Sequence, residues 1–338
     1  MRYIHFIYII SFITFASCEK EDKALVLPPP GSLTRVVANI DPTYDKQVYV
    51  SLQKNLQVTV DLKDWDLAFE ASANGFHVYL NSGKYMFVCH TGANNFTTVD
   101  TVGKPWVLDN DHLDDDSTAI GNWNINGLLS GEVMVIDRGR VFYTGATASQ
   151  RFKKLRLEEA TATGYRFSYC DFNSTSPIQF TLPKNIDYSL MYFSFDNGGK
   201  SVEVAPKKND WDIVFTRYSH TYFDQPLGSP YRYYLVSGGL SNRWNGITGL
   251  KLVKDSIPGY VDYETINGLL SSTFSLSRNA DFIGFDWKAV DNSFNYMILP
   301  NRYYLLKDSN GYYYKIRFID FYNLQGQTGN ITFDYQRL

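Results

Sequence analysis

Cysteine is scarce: three residues, Cys18, Cys89 and Cys170, in a chain of 338. No Cys-x-x-Cys and no Cys/His spacing of a structural zinc site occurs, so neither a disulfide scaffold nor a zinc-built module is encoded. Cys89 and Cys170 either pair in an exported chain or are two separately buried small residues. Histidine is also sparse, with five in total and only His77, His90, His112 and His220 beyond the first 17 residues. Gly-x-Ser-x-Gly, His-Glu-x-x-His and Gly-x-x-x-x-Gly-Lys are all missing, which leaves catalysis without a recognisable nucleophile, metal or phosphate frame. The chain reads as no enzyme. Lys+Arg number 32 against 35 Asp+Glu, and no basic stripe interleaved with aromatics appears, so nucleic acid is excluded as a partner. No long amphipathic helix is evident, only a weakly periodic stretch at 263–270.

What the chain does hold is aromatic residues: 26 Tyr, 23 Phe and 6 Trp. Flat rings suit pleated, half-buried surfaces, and this composition favours strands. Val48, Val50 and Leu52 alternate with Tyr49 and Ser51, a strand period that returns in Met191-Tyr192-Phe193-Ser194-Phe195. Asp196-Asn197-Gly198-Gly199 follows as a hairpin turn. Residues 1–17 carry one positive residue, Arg2, then an apolar run too short for a confident span, and read as a secretory signal. Phe15-Ala16-Ser17-Cys18 resembles a lipobox with Phe15 in place of the usual Leu, so Cys18 is the expected lipidation site. Acyl chains on one cysteine anchor a protein at about 0.8 kcal/mol per buried methylene. The charged run Glu19-Lys20-Glu21-Asp22-Lys23 resembles a surface-export signal, and Pro28-Pro29-Pro30-Gly31 reads as a stiff spacer.

The body of the chain is written twice. Asp64-Trp65-Asp66-Leu67-Ala68-Phe69 returns as Asp210-Trp211-Asp212-Ile213-Val214-Phe215. In the same order, 76–83 (FHVYLNSG) faces 231–238 (YRYYLVSG), Ile120-Gly121-Asn122-Trp123 faces Ile283-Gly284-Phe285-Asp286-Trp287, and Leu155-Arg156-Leu157 faces Ile316-Arg317-Phe318. A repeat of roughly 150 residues is domain-sized, so each copy should own a core. The expected organisation is a signal peptide at 1–17, a lipidated tether at 18–32, and β domains at 33–176 and 177–338. Strand alternation places Trp65, Leu67 and Phe69 on one face, as it does Trp211, Ile213 and Phe215. Asp66 and Asp212 then point the other way, to accept hydrogen bonds from backbone or a hydroxyl.

These residues resemble the HmuY-like haem-binding lipoproteins of Bacteroidota. The resemblance is carried by 209–218 (NDWDIVFTRY), Tyr234-Leu235-Val236-Ser237-Gly238, 283–288 (IGFDWK), 314–323 (YKIRFIDFYN) and Phe333-Asp334-Tyr335-Gln336, and covers most of 185–338. The first half departs from it: Asp66 is kept, Arg217 gives way to Ala71 or a neighbour, and the Phe318 segment becomes Leu157-Glu158-Glu159-Ala160. The resemblance implies an all-β fold of two tandem, related antiparallel domains, tethered to the outer face of the outer membrane. It also implies capture of haem from haemoproteins for delivery to an outer-membrane transporter, with haem held by paired axial histidines or methionines.

Haem iron takes a neutral imidazole or a thioether in an apolar slot, with cations or hydroxyls for the propionates. One candidate group is His77 and Met86, with His90 as a third donor beside Cys89; the other is His220, with Arg217, Tyr218 and Tyr222 as contacts from a Tyr-rich strand exit. Each of these residues also has an ordinary packing or surface role open to it. The run Asp109-Asn110-Asp111-His112-Leu113-Asp114-Asp115-Asp116 has oxygen ligands enough for Ca²⁺ but lacks the glycine and distal Glu of an EF-hand, and reads more plainly as a solvated acidic loop. The sequence supports a haem-binding surface lipoprotein; a structural or adhesive module, or a glycan-capturing protein, is the alternative.

Overall fold

The computed structural model describes residues 30–113, 118–120, 131–226, 229, 231–254 and 262–338. The signal segment, Cys18, the charged run at 19–23, Pro28, Pro29, Asp114 to Asp116 and Gly121-Asn122-Trp123 lie outside them. Among the described residues the chain is almost entirely β, and no helix is long and apolar enough to cross a membrane. The weakly periodic stretch at 263–270 becomes a 3-10 turn, Tyr263–Thr265, and one helical turn, Gly268–Ser271.

Two related antiparallel units are built from equivalent strands. The first contains β4 (Leu67–Glu70), β5 (Val78–Leu80), β6 (Phe87–Cys89), β7 (Trp106–Val107), β8 (Val133–Asp137), β9 (Phe152–Ala160), β10 (Gly164–Asp171), β11 (Ile178–Pro183), β12 (Leu190–Ser194) and β13 (Lys200–Val202). They form a six-stranded sheet, β11-β10-β9-β8-β6-β7, and a four-stranded sheet, β13-β12-β4-β5. The second unit takes β1 (Thr34–Asn39), β2 (Lys46–Ser51) and β3 (Leu56–Asp61) from the start of the chain. It adds β14 (Ile213–Thr221), β15 (Tyr233–Ser241), β16 (Thr248–Val253), β19 (Arg302–Lys307), β20 (Tyr313–Tyr322) and β21 (Thr328–Arg337). Their sheets run β1-β21-β20-β19-β16 and β15-β14-β2-β3. A small ribbon, β17 (Lys288–Val290) with β18 (Tyr296–Ile298), completes it. Written out, the two sheet orders correspond strand for strand, except that β7 at the edge of the first unit's outer sheet has no counterpart in the second.

The units are interleaved. The hairpin β2–β3 precedes β4 in sequence, yet β2 pairs with β14; β12–β13 precedes β14, yet β12 pairs with β4. Each repeat therefore lends its leading hairpin to the other, and each unit draws strands from both sides of residue 176. The chain crosses at Trp65-Asp66 and again at Trp211-Asp212, where 3-10 turns (Leu62–Asp64, Lys208–Asp210) redirect it. Both aspartates fasten the borrowed hairpin through its backbone: Phe195 N–H donates to Asp66 Oδ2 and Leu52 N–H to Asp212 Oδ2, each at 2.7 Å. The expected backbone-acceptor role of these aspartates is what the structure contains.

The four large sheets stack in four layers, with a core between each neighbouring pair. Val48, Val50, Ile213 and Phe215 pack against Tyr304, Ile316, Phe318 and Phe333 in one outer core. Leu67, Phe69, Val78 and Phe193 pack against Val88, Ile136, Leu155 and Phe167 in the other. Between the two four-stranded sheets lies a third, holding Tyr49, Trp65, Ala68, Tyr79, Tyr192, Trp211 and Val214. Trp65 and Trp211 thus belong to the middle layer, and not to the faces of Leu67/Phe69 and Ile213/Phe215 as alternation predicts. The crossover turn precedes each strand, so the residue before the aspartate is not yet in the pleat. Each buried indole contributes roughly 1.5–3 kcal/mol to docking the units.

One repeat correspondence shifts. Leu80 faces Leu67 and Ser241 faces Ile213, which makes Leu80-Asn81 the counterpart of Ser241-Asn242 and not of Leu235-Val236. Asn81 Nδ2 donates to Leu62 O and Trp65 O, and Asn242 Nδ2 to Lys208 O and Trp211 O, the same bracket in both units. The longer β14–β15 hairpin hid this register. Cys89 and Cys170 are unpaired and buried, with burial raising both thiols above their usual range. Both should resist an aromatic disulfide reagent in native protein and react fully once the chain is denatured; rapid native labelling would contradict their burial.

Candidate ligand-binding cleft

A cleft of about 350 Å³ opens in the second unit, within the usual size range of small-molecule sites. Tyr44, Tyr222, Tyr234, Phe285 and Tyr296 supply aromatic walls, and Arg217 and Lys288 supply cations. No carboxylate lines it among the described residues. Tyr222 and Tyr234 are exposed at its mouth, with Phe223 and Tyr231 also exposed on the same β14–β15 connection. Tyr44 reaches the cleft from a left-handed backbone (φ 59°), a conformation that costs a non-glycine residue about 1–2 kcal/mol and is held here by its hydroxyl bond to Thr328 Oγ1 at 2.9 Å.

The two cations differ. Arg217 Nη2 pairs with Asp45 Oδ1 at 3.1 Å, and its other nitrogens donate to Gly83 O (2.9 Å) and Thr43 O (3.0 Å). A Cβ on Gly83 would stand 2.4 Å from Arg217 O, so glycine is required for this close approach. Arg217 therefore ties the first unit's turn to β14. Lys288 is buried and donates to the carbonyls of Ser237 and Phe285; its Nζ lies 4.2 Å from the Trp287 ring centroid and 4.7 Å from that of Phe321. Burial pushes its pKa down to about 7, against a partial rise from Asp286. Asp286 itself pairs with Lys251 and Arg302. Lys288 is thus a desolvated ammonium without a carboxylate of its own, in a cleft without carboxylates.

His220 stands behind the aromatic wall, its ring 4.7 Å from Tyr222 and 4.9 Å from Phe285. Nδ1 engages Asp111 in a short bond. A carboxylate on Nδ1 fixes the tautomer that leaves Nε2 as the coordinating nitrogen. Tyr218 is buried in the middle core, away from the lining.

The other candidate group is dispersed. Met86 is fully buried in the first unit's core. His77 bonds Glu70 Oε2 through Nδ1 at 2.9 Å, beside a separate hollow of about 430 Å³. His90 lies between Glu132 Oε2 (3.1 Å) and Ala119 O (2.8 Å). These three do not converge on a common slot. A wider hollow of about 860 Å³ on the first unit contains Lys153 and Arg138, already paired with Asp171 and Asp196. Of the residues singled out in the sequence, Arg217 and Tyr222 line this cleft and His220 lies behind its wall; Lys288, a lysine directly after the motif tryptophan Trp287, was not among them.

Fold and cleft together define a four-layer antiparallel β protein with an aromatic, cation-bearing cleft. The sequence pattern of the HmuY protein family matches residues 43–181 and 245–335, more than half of the chain, and the protein belongs to that family. Solved structures with a similar course include apo PinO from Porphyromonas gingivitis (10% identity, TM-score 0.29, 91% of this chain and 97% of that one). The apo HmuY analog TFO from Tannerella forsythia is another (10% identity, TM-score 0.24, 90% and 96%). A third is a protein from Bacteroides vulgatus described as HmuY-like and heme binding (12% identity, TM-score 0.23, 90% and 90%). No curated protein matches the chain.

Proposed function

We propose that the chain is a surface lipoprotein that captures haem or a related tetrapyrrole in the second-unit cleft and passes it to an outer-membrane transporter, without transforming it. Family membership supports the ligand class, and Lys288 carries the assignment to this cleft. A buried, unneutralised ammonium framed by tyrosine and phenylalanine suits a flat aromatic ligand bearing carboxylates. Bound there, the ring would stack on the Tyr222, Phe285 and Tyr296 walls with a propionate near Lys288, and His220 is the donor best placed to supply an imidazole. Haem would bring a metal-centred, strongly absorbing ring; the protein's residues bind and orient it. Cys18 provides the membrane tether in this reading.

Titrating the purified chain with haemin should give a saturable Soret shift. Tyr222→Ala and His220→Ala should weaken it at least tenfold, while His77→Ala leaves it unchanged. A shift that is absent, or that falls with His77→Ala and survives His220→Ala, overturns the assignment. Exposed Tyr222 and Tyr234 would also suit a sugar ring, so saturable glycan binding without a Soret response would establish the rival reading.

A further inference from the structure

We infer that Asp111, His112 and Asp281 form a binding site for a single divalent transition-metal ion, distinct from the aromatic cleft. One imidazole nitrogen and two carboxylate oxygens from these residues lie within 4.8 Å of one another, the spread of a first coordination shell. Two segments far apart in sequence supply them, joined where Ala280 N–H donates to His112 O at 3.0 Å. The inference goes beyond tetrapyrrole capture and does not depend on it.

Proximity alone would describe many acidic surfaces, but this group is not one. The Asp111 side chain is 1% exposed. Its Oδ2 is taken by His220, while Oδ1 is buried with no hydrogen-bond partner. A carboxylate oxygen removed from water without a partner is costly, and a cation is the partner that removes the cost. His112 and Asp281 face each other at 2.5 Å (Nδ1 to Oδ1) and are 36% and 14% exposed, which leaves an entry path on one side. The His220 imidazole on Asp111 Oδ2 is an outer-sphere support that orients the carboxylate.

A donor set of one imidazole and two carboxylates suits Zn²⁺, Mn²⁺ or Fe²⁺, with water completing the shell, and is too nitrogen-rich and small for Ca²⁺.

Metal-free chain, without haemin, should bind one equivalent of Zn²⁺ in a calorimetric titration and show a higher thermal midpoint with the ion. His112→Ala and Asp281→Asn should each lower affinity by at least tenfold. Both alter partly exposed side chains, so they remain informative if Asp111→Asn folds poorly. Lys288→Met, which alters the aromatic cleft and none of the three metal-site residues, should retain the equivalent while weakening the haemin response, which separates this site from the cleft. Absence of saturable Zn²⁺ and Mn²⁺ binding, or binding unchanged in both His112→Ala and Asp281→Asn, overturns the inference.

Discussion

Replacing Asp66 with Ala should destabilise the protein by about 3–5 kcal/mol, whereas replacing its repeat counterpart Asp212 with Asn should stabilise it at neutral pH. Asp66 is fully buried between Lys84 Nζ (2.5 Å) and Arg138 Nη2 (2.8 Å), and Lys84 is itself fully buried. Burial opposes its charge, but the two cations prevail and hold its pKa below the usual carboxylate range. Removing it strands the buried Lys84 ammonium, leaves Arg138 paired with Asp196 alone, and frees the Phe195 N–H that pins the borrowed hairpin. In the second unit the position after the β8-equivalent strand is Asp308 where the first has Arg138. Asp212 keeps its backbone bond but gains a like charge, and burial first, then Asp308, pushes its pKa up to about 6.

The pH dependence follows in sign. Asp212 has a folded pKa above its unfolded value of about 3.9, so the stability it confers is full below pH 4 and is lost as pH rises through about 6. A shift of about two pKa units corresponds to roughly 2–3 kcal/mol. Asn still accepts from Leu52 N–H, so the gain in Asp212→Asn should emerge between pH 4 and 6 and vanish below. Urea denaturation at pH 4 and pH 7.5 measures it. Equal destabilisation by both substitutions at pH 7.5 would show that the two aspartates are not electrostatically distinct.

Lys288 should set the pH response of ligand capture. With its pKa near 7 in the empty cleft, the ammonium that meets a propionate is half gone at neutral pH. Haemin affinity should therefore fall by up to about tenfold per pH unit above 7, until the pKa reached in the complex. Lys288→Met should bind more weakly at pH 6 and lose that slope. It should also raise stability, because a folded pKa below the unfolded value of about 10.4 makes the lysine a burden that is largest below pH 7 and relieved as pH climbs toward 10. A slope that persists in Lys288→Met would assign the pH response to another group. A Lys288→Met chain that is less stable at pH 6 would mean that the carbonyls of Ser237 and Phe285 outweigh the desolvation.

The sequence by itself determined the β class, the duplication, the backbone-acceptor role of Asp66 and Asp212, and the family. Each rests on local signals: alternation, turn residues, and a Trp-Asp pair written twice. It also reached part of the cleft, because Arg217 and Tyr222 lie on or just beyond one strand, with His220 beside them. Only the tertiary structure decided which hairpin pairs with which strand, since β2 and β12 carry the same alternating pattern and either would satisfy β4 or β14 locally. Only packing placed Trp65 and Trp211 in the middle core, buried Met86, and left Lys288 without a carboxylate. The same holds for Asp111, His112 and Asp281, which come together because Ala280 is hydrogen-bonded to His112 across the two units. Burial and charge balance are sums over neighbours distant in the chain, and no local pattern records them.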